Sequence, residues 1–140
     1  MARARAGDIV SRRKGLVMHK GVSLGNGLVL HNTPGRGEHV ATEEEFRAGK
    51  RMYTQRVGGA VRRPSLARSQ LEYGRRYHLL NNNCEHTVNR AVHGDAHSPQ
   101  LRGWLVGAGM AAATFAVTRH PVLSAAAFAL GQRLGGRRRR

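Results

Sequence analysis

Residues 15–32 read GLVMHKGVSLGNGLVLHN, and the fold turns on how this stretch is paired. Two runs rich in Val and Leu flank Gly25-Asn26-Gly27, a strand–turn–strand pattern. A side chain changes face at every residue along a strand, so the length of the turn decides which residues share a face. A three-residue loop with Gly27 in the left-handed conformation sets Leu24 opposite Leu28 and His31 opposite Gly21. His19 then becomes a diagonal neighbour of His31 on one face, about 7–8 Å apart at the backbone, where imidazoles can meet. A two-residue Asn-Gly loop puts the histidines on opposite faces. Val17, Gly21, Ser23 and Val29 accompany the histidines. Met18, Val22, Leu24, Leu28 and Leu30 line the other, more apolar face, which Lys20 interrupts.

Outward from the hairpin, GDIV and RMYTQRV read as further short strands. Thr42 with Glu45 three residues later forms a capping box, opening a brief helix that Gly49 closes. PSLARSQLEYG predicts a helix from beside Pro64 to Gly74, and CEHTVNRAVHG another that ends at Gly94. The fold class expected is α+β: a small antiparallel sheet whose His-bearing hairpin packs on a Cys-bearing helix, with an apolar helical tail. The expected divisions are a basic arm over 1–6, a catalytic domain over 7–97, an apolar segment over 98–132 and an arginine-rich tail over 133–140.

The second decisive stretch is NNNCEHTVNR, residues 81–90, which holds the only cysteine among 140 residues. A lone thiol forms no internal disulfide, so Cys84 is filling, ligand or nucleophile. Asn83 is a good N-cap and places Cys84 in a first helical turn, where backbone N–H groups and the helix dipole favour a thiolate. Cys84, Val88, Ala91 and Val92 share one stripe; His86 faces elsewhere. A nucleophilic thiol needs a base, and the base an orienting partner. These residues alone leave an inert cysteine and a catalytic one equally open.

Together the two stretches resemble the lecithin retinol acyltransferase-like family, a circularly permuted branch of the papain-like thiol enzymes. There a His-bearing hairpin precedes a helix opening on asparagine–cysteine–glutamate–histidine. The likeness runs over residues 7–94, and TEEEFRAGK and SLARSQLEYGRRYHLL are similar to the linking helices of its bacterial members. The resemblance implies Cys84 as nucleophile, His19 as general base and His31 as the residue that orients it, with no cofactor. It implies a thiol-dependent acyltransferase or phospholipase A-type hydrolase working through an acyl-cysteine thioester. Lys20, Ser23 and Thr87 stand where the family commonly has aromatic side chains.

Twenty-four Lys and Arg against eight Asp and Glu give a formal charge of +16. Such a charge favours anionic partners without bearing on fold. The arginines do not interleave with aromatics, which are 5% of the chain, so base stacking is poorly supplied and nucleic acid is not the expected partner. Residues 103–118 are uncharged, and a second apolar stretch follows Arg119-His120-Pro121. Gly103, Gly107 and Ala111 recur every four residues, a spacing that lets helices approach closely. Arg119 would cost about 2.5–3.5 kcal/mol at a bilayer centre, which argues for a helical hairpin or one short membrane helix over a continuous span. The expected partners are an acyl-ester lipid and an anionic membrane surface, and the expected location is cytoplasmic and membrane-associated. No secretory signal pattern is visible at the N-terminus. Competing readings are a papain-like amidase or peptidase, a basic nucleic-acid- or membrane-binding module, and a zinc site from Cys84, His86, His93 and His97. His39, His78 and His120 are expected at the surface.

Overall fold

The computed structural model describes residues 4–71, 74–80 and 82–136. The chain forms two compact units, residues 1–97 and 98–140. The first is α+β. Its five-stranded antiparallel sheet runs β4-β3-β2-β1-β5, from β1 (Ile9–Lys14), β2 (Val17–Gly25), β3 (Leu28–Thr33), β4 (Gly37–Thr42) and β5 (Met52–Gln55). Helix α1 (Glu43–Arg47) opens on the Thr42–Glu45 capping box, α2 spans Gly59–Leu71 and α3 spans Cys84–His93.

The decisive turn differs from expectation in its parts and agrees in its outcome. Asn26 and Gly27 both have positive φ, 50° and 77°, the signature of a two-residue type I′ turn, and Gly25 pairs with Leu28. That loop alone would divide the histidines. Leu24, however, is an extra residue in a β-bulge between Ser23 and Gly25, and it shifts the register back by one. Gly21 therefore lies opposite His31, and His19 and His31 share a face.

Both faces of the sheet are covered. On one, Ile9 and Val22 join Val57, Val88, Ala91 and Val92 in a core beneath α3. On the other, Val10, Val29 and Ala4 pack around Phe46 of α1. Ala4 is thus core, and Asp8 ties the backbone beside it to the sheet's far end by accepting from the Arg5 and Val57 amides, each at 3.0 Å. β4 is an element the sequence reading lacked, because GEHVAT carries only one large apolar residue, Val40. Pro64 lies inside α2 and does not start it; the helix begins five residues earlier, after the Gly58 carbonyl accepts from Val61 and Arg62. The described helix runs to Leu71, before the expected stop at Gly74, and residues 72–73 between them lie outside the described residues.

The second unit is a helical hairpin of α4 (Pro99–Thr118), capped by Ser98, and α5 (Pro121–Gly136). Arg119 sits in the connection in the left-handed conformation, so it ends α4 instead of interrupting it. The helices meet through Gly103 and Gly107 on one side and Gly131 and Gly135 on the other. A Cβ on Gly131 would stand 2.7 Å from the Gly107 Cα. Gly131→Val should force the helices apart at a cost of about 1–3 kcal/mol, seen as a lengthened distance between spin labels at positions 106 and 127. An unchanged distance would show that the hairpin does not depend on this contact. Trp104, Leu105, Phe115, Val117, Leu123 and Leu130 remain exposed on the outside. α4 is long and apolar enough to cross a membrane, about 30 Å for its 20 residues. The arginines at 137–140 lie outside the described residues.

Candidate active site

The site is assembled from three strands and one helix end. β2 supplies His19 and β3 supplies His31, both buried, with His19 Nε2 and His31 Nδ1 2.9 Å apart. Phe46 lies against both rings, at 5.4 Å from His19 and 5.3 Å from His31 between centroids. β4 adds a third imidazole. His39 pairs directly with His31 across the ladder, and their centroids are 4.2 Å apart. His39 is half-buried, so its expected surface place is corrected; the HNTPGRGEH hairpin was the signal, since its register sets residues 31 and 39 opposite each other. His78 and His120 are exposed.

Burial is the first cause that pushes the pKa of His19 down to about 4 and of His31 to about 3, followed by the neighbouring Arg12 for His19 and His39 for His31. Both rings are therefore neutral at physiological pH. In the unfolded chain they titrate near 6.5 and take up protons that the fold refuses. Between pH 6.5 and about 4 the unfolded state binds more protons, so stability must fall as pH falls through that window. The slope should reach about 1.4 kcal/mol per pH unit for each group that protonates only on unfolding. Urea melts at pH 7, 5.5 and 4.5 check this, and a flat profile above pH 4.5 would contradict the buried neutral pair.

Cys84 arrives from the other side of the sheet, since α3 packs on the Val22 face. Its position is set by the point where β2 and β3 part. The Ser23 amide bonds to Asp8, on the β1 side, so alternate amides including Lys20 point toward β3. The β2–β3 ladder ends at Gly21 and His31, and the Lys20 amide acts to lower the pKa of the Cys84 thiol. Lys20, next to His19 on β2, pairs with Glu85, and Asn32 on β3 bonds to Asn82 and Thr87, so the start of α3 lies over the seam between the two strands. No hydrogen bond joins the thiol to either imidazole among the described residues. Two of the three expected residues, His19 and His31, are in direct contact, while Cys84 belongs to α3 on the opposite face of the sheet.

The expected depression of the thiol pKa is reversed. Burial raises it, more than the Lys20 amide and the Lys20 and Lys14 charges lower it, and the Glu85 carboxylate adds to the rise. The resting site is a neutral thiol with a neutral histidine pair. Its helix end is otherwise well prepared for an anion. The Asn83 side chain accepts from the Glu85 and His86 amides, at 2.9 and 3.1 Å, and His86 Nδ1 accepts from the Asn83 amide. This capping accounts for His86 and leaves the Cys84 N–H without an intrachain acceptor among the described residues.

A polar network that sequence reasoning missed holds α3 in place. Glu38, buried on β4, takes an ion pair from Arg90 and a hydrogen bond from Thr87 Oγ1 at 2.8 Å. Asn32 donates to the Asn82 carbonyl at 2.7 Å and to Thr87 Oγ1 at 3.2 Å. Lys20 pairs with the buried Glu85. Two of the three positions where aromatics were expected, Lys20 and Thr87, are therefore taken up by helix–sheet bonds. Arg68 closes the far end of α3 by donating to the Ala91 and Val92 carbonyls. No group of three His, Cys, Asp or Glu side chains is placed to hold a metal among the described residues.

No known protein family matches the chain, and no curated protein matches it. The case for function therefore stands on residues and geometry.

Proposed function

We propose that the protein is a thiol acyl-transfer enzyme of the lecithin retinol acyltransferase-like kind, with the permuted papain-like arrangement of His hairpin and Cys helix. The observation that carries this is a hydrogen-bonded, neutral histidine pair on β2 and β3, with the cysteine at the start of a capped helix that Lys20, next to His19, ties to the sheet through Glu85. With His19 Nε2–H donating to His31 Nδ1, the lone pair of His19 Nδ1 is free to act as base. His19 turns this atom toward the seam, a side-chain rotation of the sort that substrate binding commonly completes. The Cys84 proton passes to His19, the sulfur adds to the ester carbonyl, and the uncapped Cys84 N–H stabilises the oxyanion. His19 returns the proton to the departing alcohol and leaves an acyl-Cys84 thioester. Water or a second acceptor then takes the acyl group. His31 holds the tautomer of His19 and stabilises its cation.

The α4–α5 hairpin, apolar outside and flanked by arginines, brings the enzyme to an anionic membrane surface, which suits an acyl-lipid substrate and a membrane-associated cytoplasmic location. Intact-mass analysis after mixing with phosphatidylcholine or phosphatidylethanolamine tests the reading. A single added acyl mass that maps to Cys84 is expected. Turnover without any thiol adduct, or no reaction with either lipid or with simple esters, would refute it.

A further inference from the structure

His31 has one ring nitrogen accounted for. Its Nδ1 meets His19 Nε2 at 2.9 Å, and with His19 as the donor the hydrogen of His31 sits on Nε2. That Nε2 is buried and has no hydrogen-bond partner among the described residues. Phe46 stands edge-on to the ring at 5.3 Å between centroids, an apolar neighbour that offers it no acceptor. A buried N–H left without an acceptor is costly, and few such groups persist in a folded protein without a reason.

One side chain stands where an acceptor is needed. β4 pairs with β3 so that His39 lies directly across from His31, with ring centroids 4.2 Å apart and a tilt of 53°. His19 and His31 bond to each other at the longer centroid separation of 5.2 Å, so a turn of the half-buried His39 ring suffices to bring a nitrogen to His31 Nε2. The tautomer also fits. His39 Nδ1 lies 2.8 Å from the Gly37 carbonyl, which only accepts, so neutral His39 carries its hydrogen on Nδ1 and its lone pair on Nε2. The chemistry gives the contact a use. Burial, which keeps both inner rings neutral at rest, resists the cation that His19 becomes when it takes the thiol proton. His31 eases that cost by accepting from His19, and it does so better when its own N–H has an acceptor in turn.

We propose that His39 is a positioning residue of this site, its Nε2 accepting the His31 Nε2–H as His19 becomes protonated, so that three imidazoles in series stabilise one positive charge. No proton leaves His31 in this step; the hydrogen bond strengthens as the ring it serves polarises. The use in catalysis rests on the acyl-transfer reading above, whereas the contact between His31 and His39 does not. The family resemblance supplies roles for His19 and His31 alone, and His39 is added by the pairing of β3 with β4 in this chain.

Long-range proton–nitrogen NMR spectra of the resting full chain read the tautomers directly. His31 is expected in the Nε2–H form and His39 in the Nδ1–H form; the opposite form of either ring removes the donor or the acceptor and overturns the proposal. Kinetics then separate a lone pair from bulk. His39→Phe keeps a ring and loses the acceptor, and should lower kcat for acyl transfer about tenfold with KM unchanged. His39→Gln keeps an acceptor and should hold kcat within about threefold of the parent. Equal losses in the two variants would reduce His39 to a packing role, and no loss in either would show that His31 needs no partner; each overturns the proposal. Alkylation of Cys84 by iodoacetamide needs no acyl substrate and should slow by a similar factor in His39→Phe. Alkylation that responds to His39→Phe, with no acyl adduct from any ester, defeats the acyl-transfer reading alone. Acyl transfer at the parent rate in His39→Phe defeats the role of His39 alone.

Discussion

Cys84→Ala should remove all acyl adduct and lower turnover by about 10⁴-fold or more, with little change in thermal stability. The sulfur is the only atom in the site able to form the thioester, and its loss leaves the helix cap intact, since Asn83 and His86 make those bonds. The thiol is free and only half-buried, so its removal should cost about 1 kcal/mol. His19→Ala should come close to the same catalytic loss, and His31→Ala should fall short of it, because an orienting group acts through the base. The reverse order would exchange the roles of the two rings. Unaltered turnover in Cys84→Ala would remove the enzymatic reading altogether.

The largest loss of stability is expected at a residue with no part in the chemistry. Glu38→Ala should destabilise the first unit by about 3 kcal/mol, read as a lower urea midpoint. The Glu38 side chain is fully buried and Arg90 is mostly so, and removal takes the carboxylate from the Arg90 guanidinium, which keeps its bond to Asn82 Oδ1, and the acceptor from the Thr87 hydroxyl. Glu38→Gln should recover part of the loss, because it restores an acceptor without the charge. The same network holds the start of α3 against β3, so Glu38→Ala should also lower acylation by displacing the thiol from the seam. Full acylation in a destabilised variant would show that the helix end is fixed by its cap alone.

The α+β class, the His hairpin, the Thr42 and Asn83 caps and the apolar hairpin were legible in local patterns, because each depends on residues close in the chain. The face shared by His19 and His31 followed from a loop of the wrong length. One residue was correctly inferred to be extra, but it lies in the bulge at Leu24 and not in the turn. Turn residues announce their φ preferences locally, whereas a bulge is fixed by what the strand must match on its neighbour.

Three features were decided only in three dimensions. Lys20 and Thr87 looked like departures from a core pattern until Glu85 and Glu38 were placed beside them, and an ion pair across 65 positions and a hydrogen bond across 49 have no local signature. The thiol was expected to be acidic from its helix position, but burial, a property of everything packed around it, outweighs the dipole. His39 joined the histidine pair through strand pairing alone. The sequence by itself determined which elements form and which residues can react, since caps, turns and alternation act over a few bonds. Tertiary packing decided which of those residues meet and in what state of charge, because proximity and desolvation exist only once distant segments have closed on one another.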